Sequence, residues 1–244
     1  MILGITLCVN AQNHYSYKTY TLDSTYDARL NPKLVKYVNK QKAALDAKMN
    51  EVIGQCESTL NSFAPMSPLS NFLTDMLLNH ASSYTEDTAF ATCDIAMLNF
   101  GGIRSQLSAG DITVGSIYAI SPFDNYIVFI ELKGSELKKA LQRFRATSTD
   151  APLSGAQIIY QGNYPTSIKV QGEKIDNDRI YKLVTVNFIA EGGDKLLSGI
   201  QFERTVYTGT IFRDFLLEQI RAMGQRGEVV KSQNDNRVYV QPTP

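Results

Sequence analysis

From Leu34 onward the apolar residues Leu34, Val38, Leu45, Met49 and Val52 recur at helical spacing, with lysines between them. Asn31 is a suitable cap for that helix, Pro32 suits its first position, and Gly54 is the expected stop. Ser67-Pro68 opens a second helix, with Leu69, Phe72, Leu73, Met76 and Leu77 on one face. Ile95 to Leu98 is a short, bounded apolar run, the pattern of a buried strand. Thr113 to Ala119 reads as one or two helical turns. From Tyr126 to Leu132 the side chains alternate as in a strand, which ends at Gly134. Ser135 then opens a helix carrying Leu137, Leu141 and Phe144.

Farther on, Ala156 to Tyr160 and Ser167 to Val170 read as strands, with Gln171-Gly172 as a hairpin turn. Tyr181 to Val186 is another strand, and it delivers Asn187 and Phe188 to a loop running from Ala190 to Asp194. Thr210 to Met223 forms a last helix closed by Gly224, and Arg237 to Val240 returns as an edge strand. Gln12 to Arg29 is polar and tyrosine-rich, a strand or an ordered arm, and Ala146 to Ser154 is a polar loop. Helices and strands without strict βαβ alternation predict an α+β fold, a mixed β-sheet covered by helices with a long N-terminal helix. The expected organisation is a leader over residues 1–11, an arm and long helix over 12–66, and one domain over 67–244.

The 244 residues are enough for such a domain and a sizeable core. Lys+Arg and Asp+Glu balance at 24 each, so no global charge argues for a nucleic-acid polymer or an anionic membrane. The run Ile2 to Val9, followed by Val9-Asn10-Ala11, fits a secretory signal cleaved before Gln12. An exported chain, periplasmic or at the cell surface, is therefore expected. Cys8 invites a lipid-anchor reading, against which Leu7 stands where a small residue is usual. No other apolar run has the length to span a bilayer. Cys56 and Cys93 either pair or are two unrelated buried thiols, and their spacing matches no metal motif.

The chemistry concentrates between Asp94 and Leu132. A glycine pair, Gly101-Gly102, follows the apolar run and Asn99, with Arg104 just beyond. Glycine there permits positive φ or a close backbone approach. Arg104 is either a solvated side chain or a planar fork for phosphate or ribose oxygens. Asn99 either caps its own turn or holds a ligand. Phe123 follows Pro122, Phe188 precedes a glycine pair, and each sits beside a turn. Both are core candidates by residue type, yet each is placed to project from a loop. Asp194 is a turn aspartate or a hydrogen-bond acceptor.

Asn99-x-Gly-Gly-Ile-Arg104, Gly110-Asp-Ile-Thr113, Pro122-Phe-x-Asn125 and Asn187-Phe-Ile-Ala-Glu-Gly-Gly-Asp194 together resemble the C-terminal domain of the 5'-nucleotidase family. That family includes ecto-5'-nucleotidase and bacterial UDP-sugar hydrolase. The resemblance spans roughly Ser67 to Val240. It implies that Phe123 and Phe188 sandwich a nucleobase, Asn125 touches the base edge, and Asp194 accepts from ribose hydroxyls. Asn99, Gly101, Gly102 and Arg104 would hold the sugar and phosphate side. Pro65 stands where the family places a phosphate-holding arginine. The family hydrolyses phosphate esters with two metal ions in a separate N-terminal domain. Nothing here resembles its Asp-x-His, Gly-Asn-His or Gly-His-x-His motifs, and no Ser-His-Asp order or Walker loop replaces them. No catalytic residue and no cofactor is therefore assigned to this chain, and divalent metals are expected only in a partner metallophosphoesterase.

Three functions remain open at this stage. One is the substrate-specificity component of a 5'-nucleotidase-type phosphohydrolase, acting with a separately encoded dimetal phosphoesterase. Another is a standalone exported nucleoside- or nucleotide-binding protein. The third is a structural remnant that no longer binds.

Overall fold

The computed structural model describes residues 16–21, 23–24, 30–145, 150–235 and 237–241. The expected leader, with Cys8, lies outside them. Of the expected arm, only residues 16–21 and 23–24 are described, and they contain no strand. The chain divides into two units, Met1–Leu45 and Asp46–Pro244.

Asn31 caps helix α1 (Pro32–Met49): its Oδ1 accepts from Lys33 N at 2.9 Å and Leu34 N at 3.4 Å. The helix stops at Met49 rather than Gly54, and Gly54 lies inside strand β1 (Val52–Cys56). No α1 residue is buried, and the expected apolar stripe of Leu34, Val38 and Leu45 is exposed. Helical spacing fixes which residues share a face, but it does not supply a surface to cover them.

Helix α2 (Pro68–His80) opens with a reciprocal capping box between Ser67 and Ser70 and buries the whole expected face. Strand β2 (Ile95–Met97) is fully buried. Next come β3 (Gly110–Thr113), which pairs antiparallel with β1, and α3 (Val114–Ile120), capped by Thr113. β4 (Tyr126–Lys133) leads into α4 (Gly134–Leu141), which begins at the glycine itself. A Cβ on Gly134 would lie 1.8 Å from Asp176 O, so the close approach selects glycine.

After β5 (Leu153–Ser154), β6 (Ala156–Gln161) and β7 (Tyr164–Val170) pair antiparallel. Gln171 and Gly172, both at positive φ, then turn the chain into β8 (Glu173–Lys174). β9 (Ile180–Val186) runs into the short helix α5 (Asn187–Ala190). β10 (Arg204–Ile211), α6 (Phe212–Gln225) and β11 (Val238–Gln241) complete the chain. The sequence reading missed β10. Gly209 at φ 74 and a register shift between Tyr207 and Ile211 break its alternation. Gly224 lies inside α6 rather than closing it, and a Cβ there would meet Ile53 O at 2.6 Å.

The central sheet has the order β10-β4-β9-β2-β5. β2 and β9 are parallel and the other pairs antiparallel, so the sheet is mixed as expected. A second sheet, β11-β6-β7-β8, places β11 at an edge, parallel to β6. In β4, Ile127, Val128, Phe129 and Ile130 are all buried, which corrects the expected alternation. Strand β4 is flanked by β9 and β10 and packed by α4 and α5, in keeping with its continuous burial. The α+β class holds, with α2 against β2 and β5 and α4 against β4 and β9.

Candidate functional site

The sheet register brings the motif loops to one end. Parallel strands β2 and β9 pair Ala96 with Val184, so their carboxyl ends lie side by side. β4 runs the other way and pairs Ile127 with Val186, so it begins where β9 finishes. The residues that follow β2, precede β4 and follow β9 therefore gather at one rim. Carboxyl ends of parallel strands are a recurrent place for ligands in mixed α/β sheets.

At the first loop, Phe100–Gly102 forms a single 3₁₀ turn. Neither Gly101 nor Gly102 is at positive φ, contrary to one of the expected uses of glycine. The other use applies: a Cβ on Gly102 would lie 2.7 Å from Asn99 Oδ1. Asn99 is buried, and its side chain makes no cap bond to the turn. Its Nδ2 donates to Asp194 Oδ2 at 2.7 Å, joining the first loop to the last. Arg104 N donates to Ile120 O at 2.8 Å, which ties the same loop to the end of α3. The exposed Arg104 guanidinium donates to Gly101 O at 3.2 Å and has no carboxylate partner among the described residues.

The second loop carries Phe123, 46% exposed, and Asn125, which is half-buried. The third carries Phe188, 40% exposed, and neither ring is sealed in the core. Asn187 Oδ1 accepts from Tyr126 N at 2.9 Å, binding the second loop to the third. Gly193 packs beneath Phe188: a Cβ there would come within 2.4 Å of Phe188 O and 2.5 Å of its Cδ1. Gly192 and Asp194 are both left-handed, at φ 95 and 51. Aspartate tolerates that region better than most residues, and such strain gathers where a site holds a side chain in place.

All eight candidate residues thus lie at one end of the sheet, in the segments that follow β2, precede β4 and follow β9, with Phe188 on the short helix α5 rather than on the expected loop, and hydrogen bonds cross-link these segments. The sequence reading overlooked Asn187 as a brace and Arg213 as a partner of the second loop. Arg213 Nη2 donates to Asp124 Oδ1 at 2.6 Å, from α6. Its only prior signal was an unexplained aspartate in the Pro122–Asn125 motif. Cys56 and Cys93 are both free, and burial pushes the Cys93 thiol up to about 12, with Asp94 adding to it. Among the described residues, no group of three or more His, Cys, Asp or Glu is arranged to hold a metal ion. No helix among them is long and apolar enough to cross a membrane.

At one end of the mixed sheet lie two exposed phenylalanines, the exposed Arg104 and the buried Asn99 bonded to the exposed Asp194. Comparison with known proteins supplies the family. The 5'-nucleotidase C-terminal domain model matches residues 50–199, and the chain belongs to that family. It is 28% identical over 206 residues to the UshA protein of Yersinia enterocolitica, covering 82% of this chain and 36% of that one. It is 25% identical to the 5'-nucleotidase of Homo sapiens over 67% of this chain and 33% of the relative. A crystal structure of a 5'-nucleotidase precursor from Thermus thermophilus superposes with a TM-score of 0.71. The two are 27% identical, over 86% of this chain and 43% of the other. The chain spans about a third of the length of these curated relatives.

Proposed function

We propose that this chain is the substrate-recognition component of a 5'-nucleotidase-type phosphohydrolase. Phe123 and Phe188 stack on the two faces of a nucleobase, Asn125 meets its edge, and Asp194 accepts from the ribose hydroxyls. Base–aromatic stacking contributes roughly 1–3 kcal/mol per base in nucleic-acid binders, enough to dominate a small-ligand site. Arg104 meets the sugar–phosphate side as a planar donor. The hydrolytic step then belongs to a dimetal phosphoesterase acting on the phosphate, since such chemistry needs two caged metal ions and the sequence carries none of the family's metal-binding motifs. Where that phosphoesterase is a separate polypeptide, it is this chain's expected partner. An exported location, on the strength of the apolar run Ile2 to Val9, belongs to the same proposal.

The observation that carries this reading is the exposure of two phenylalanines at one end of adjacent strands β4 and β9. Calorimetry with adenosine and AMP, paired with a phosphate-release assay, tests it. Binding by the chain alone is expected, with phosphate released only after a dimetal phosphoesterase and Mn²⁺ or Zn²⁺ are added. Appreciable turnover by the pure chain would refute the division of labour.

A further inference from the structure

One charged side chain lies against the Phe123 turn yet belongs to none of the four motifs. Arg213, at the start of α6, is only 7% exposed. Its Nη1 donates to Pro122 O at 3.1 Å and to Phe123 O at 3.5 Å, and its Nη2 to Asp124 Oδ1 at 2.6 Å. The Tyr118 ring centre lies 4.5 Å from the guanidinium carbon. Nε makes no hydrogen bond among the described residues and has Asp214 Oδ1 3.8 Å away. The preceding residue adds a further hold, since Phe212 N donates to Asn125 O at 2.7 Å.

The first two residues of α6 therefore grip every residue from Pro122 to Asn125, while the Phe123 ring stays 46% exposed. The backbone is held while nearly half of the residue stays open to solvent. Removing a guanidinium from water is unfavourable unless its hydrogen bonds are replaced, and here most of them go to one four-residue turn.

We propose that Arg213 is a positioning residue for base recognition, holding the Phe123 turn so that the ring is pre-ordered for stacking. The proposal rests on the reading of Phe123 as a base-stacking side chain. Ordering the ring before the ligand arrives removes part of the entropy loss that binding otherwise incurs.

A double-mutant cycle tests it, with adenosine titrated calorimetrically into the full chain below all unfolding midpoints. The set is wild type, Phe123→Ala, Arg213→Gln, Arg213→Lys and the double variant Arg213→Gln/Phe123→Ala. Arg213→Gln is expected to weaken adenosine about tenfold, and Arg213→Lys to recover part of that. Because the arginine acts through the ring, the double variant should bind no more weakly than Phe123→Ala alone. Equal losses in both backgrounds, or none in either, overturn the positioning role. If wild type fails to bind, or Phe123→Ala binds as well as wild type, the stacking reading itself fails and takes the proposal with it. Should Arg213→Gln not fold, Asp124→Asn takes its place in the cycle, and the same non-additivity is expected; that carboxylate is 68% exposed.

Discussion

Asn99 and Asp194 stand 95 residues apart in sequence and share a 2.7 Å hydrogen bond at the rim of the central sheet. The bond fixes an amide buried beneath the Gly101-Gly102 turn against a carboxylate whose backbone is left-handed. One Asp194 oxygen is thereby committed to Asn99. The other is the candidate acceptor for ribose.

Asp194→Asn is expected to fold normally, because asparagine accepts the left-handed region as well as aspartate does. It should still bind adenosine several-fold more weakly, having lost the charged acceptor. Asp194→Ala should add a stability loss of about 1–2 kcal/mol from the backbone alone. Thermal unfolding and calorimetry on the two variants separate the contributions.

Gly193→Ala would bring a methyl within 2.5 Å of the Phe188 ring and within 2.4 Å of its carbonyl oxygen. The expected result is a loss of about 1–3 kcal/mol in stability, as for other overpacked sites, together with impaired adenosine binding as the ring is displaced. Gly172→Ala is the contrast: a Cβ there meets nothing within 4 Å, though its φ of 80 is still strained. It should lower the unfolding midpoint without changing affinity.

Away from the rim, Asp150 lies beside the Tyr160 hydroxyl, which donates to it. Burial pushes its carboxyl up to about 7, against the lowering effect of the Tyr160 hydroxyl that donates to it. A carboxyl raised in the folded state binds more protons there than in the unfolded chain between about pH 4 and 7. Its contribution therefore favours folding at the acid end of that window and is lost as pH rises through 7. Asp150→Asn should flatten this part of the profile of unfolding midpoint against pH. An unchanged slope would place the titration elsewhere.

The local parts of the fold were legible in the sequence, and the non-local parts were not. Ser67-Pro68, the Gln171-Gly172 turn and the α2 face are set by residues a few positions apart, so spacing and capping chemistry reveal them. β4 was legible as a strand, but nothing in its own residues from Tyr126 to Leu132 announces the helices α4 and α5 that pack on it. β10 was hidden by Gly209, and the end of α1 by apolar residues whose spacing continues into β1 as far as Val52. Site residues within one motif were visible for the same reason of locality. Arg213 was not, since its bond to Asp124 spans 89 residues and nothing beside either residue announces the other.

The central claim is that two exposed rings hold a base without being needed for the fold. Because Phe188 is 40% exposed, Phe188→Ala should leave the unliganded unfolding midpoint nearly unchanged. The deciding measurement is the rise in that midpoint on adding saturating adenosine or AMP to wild type and to Phe188→Ala. The account predicts a clear rise for wild type and a much smaller one for the variant. No rise for either protein, or the same rise for both, would contradict it.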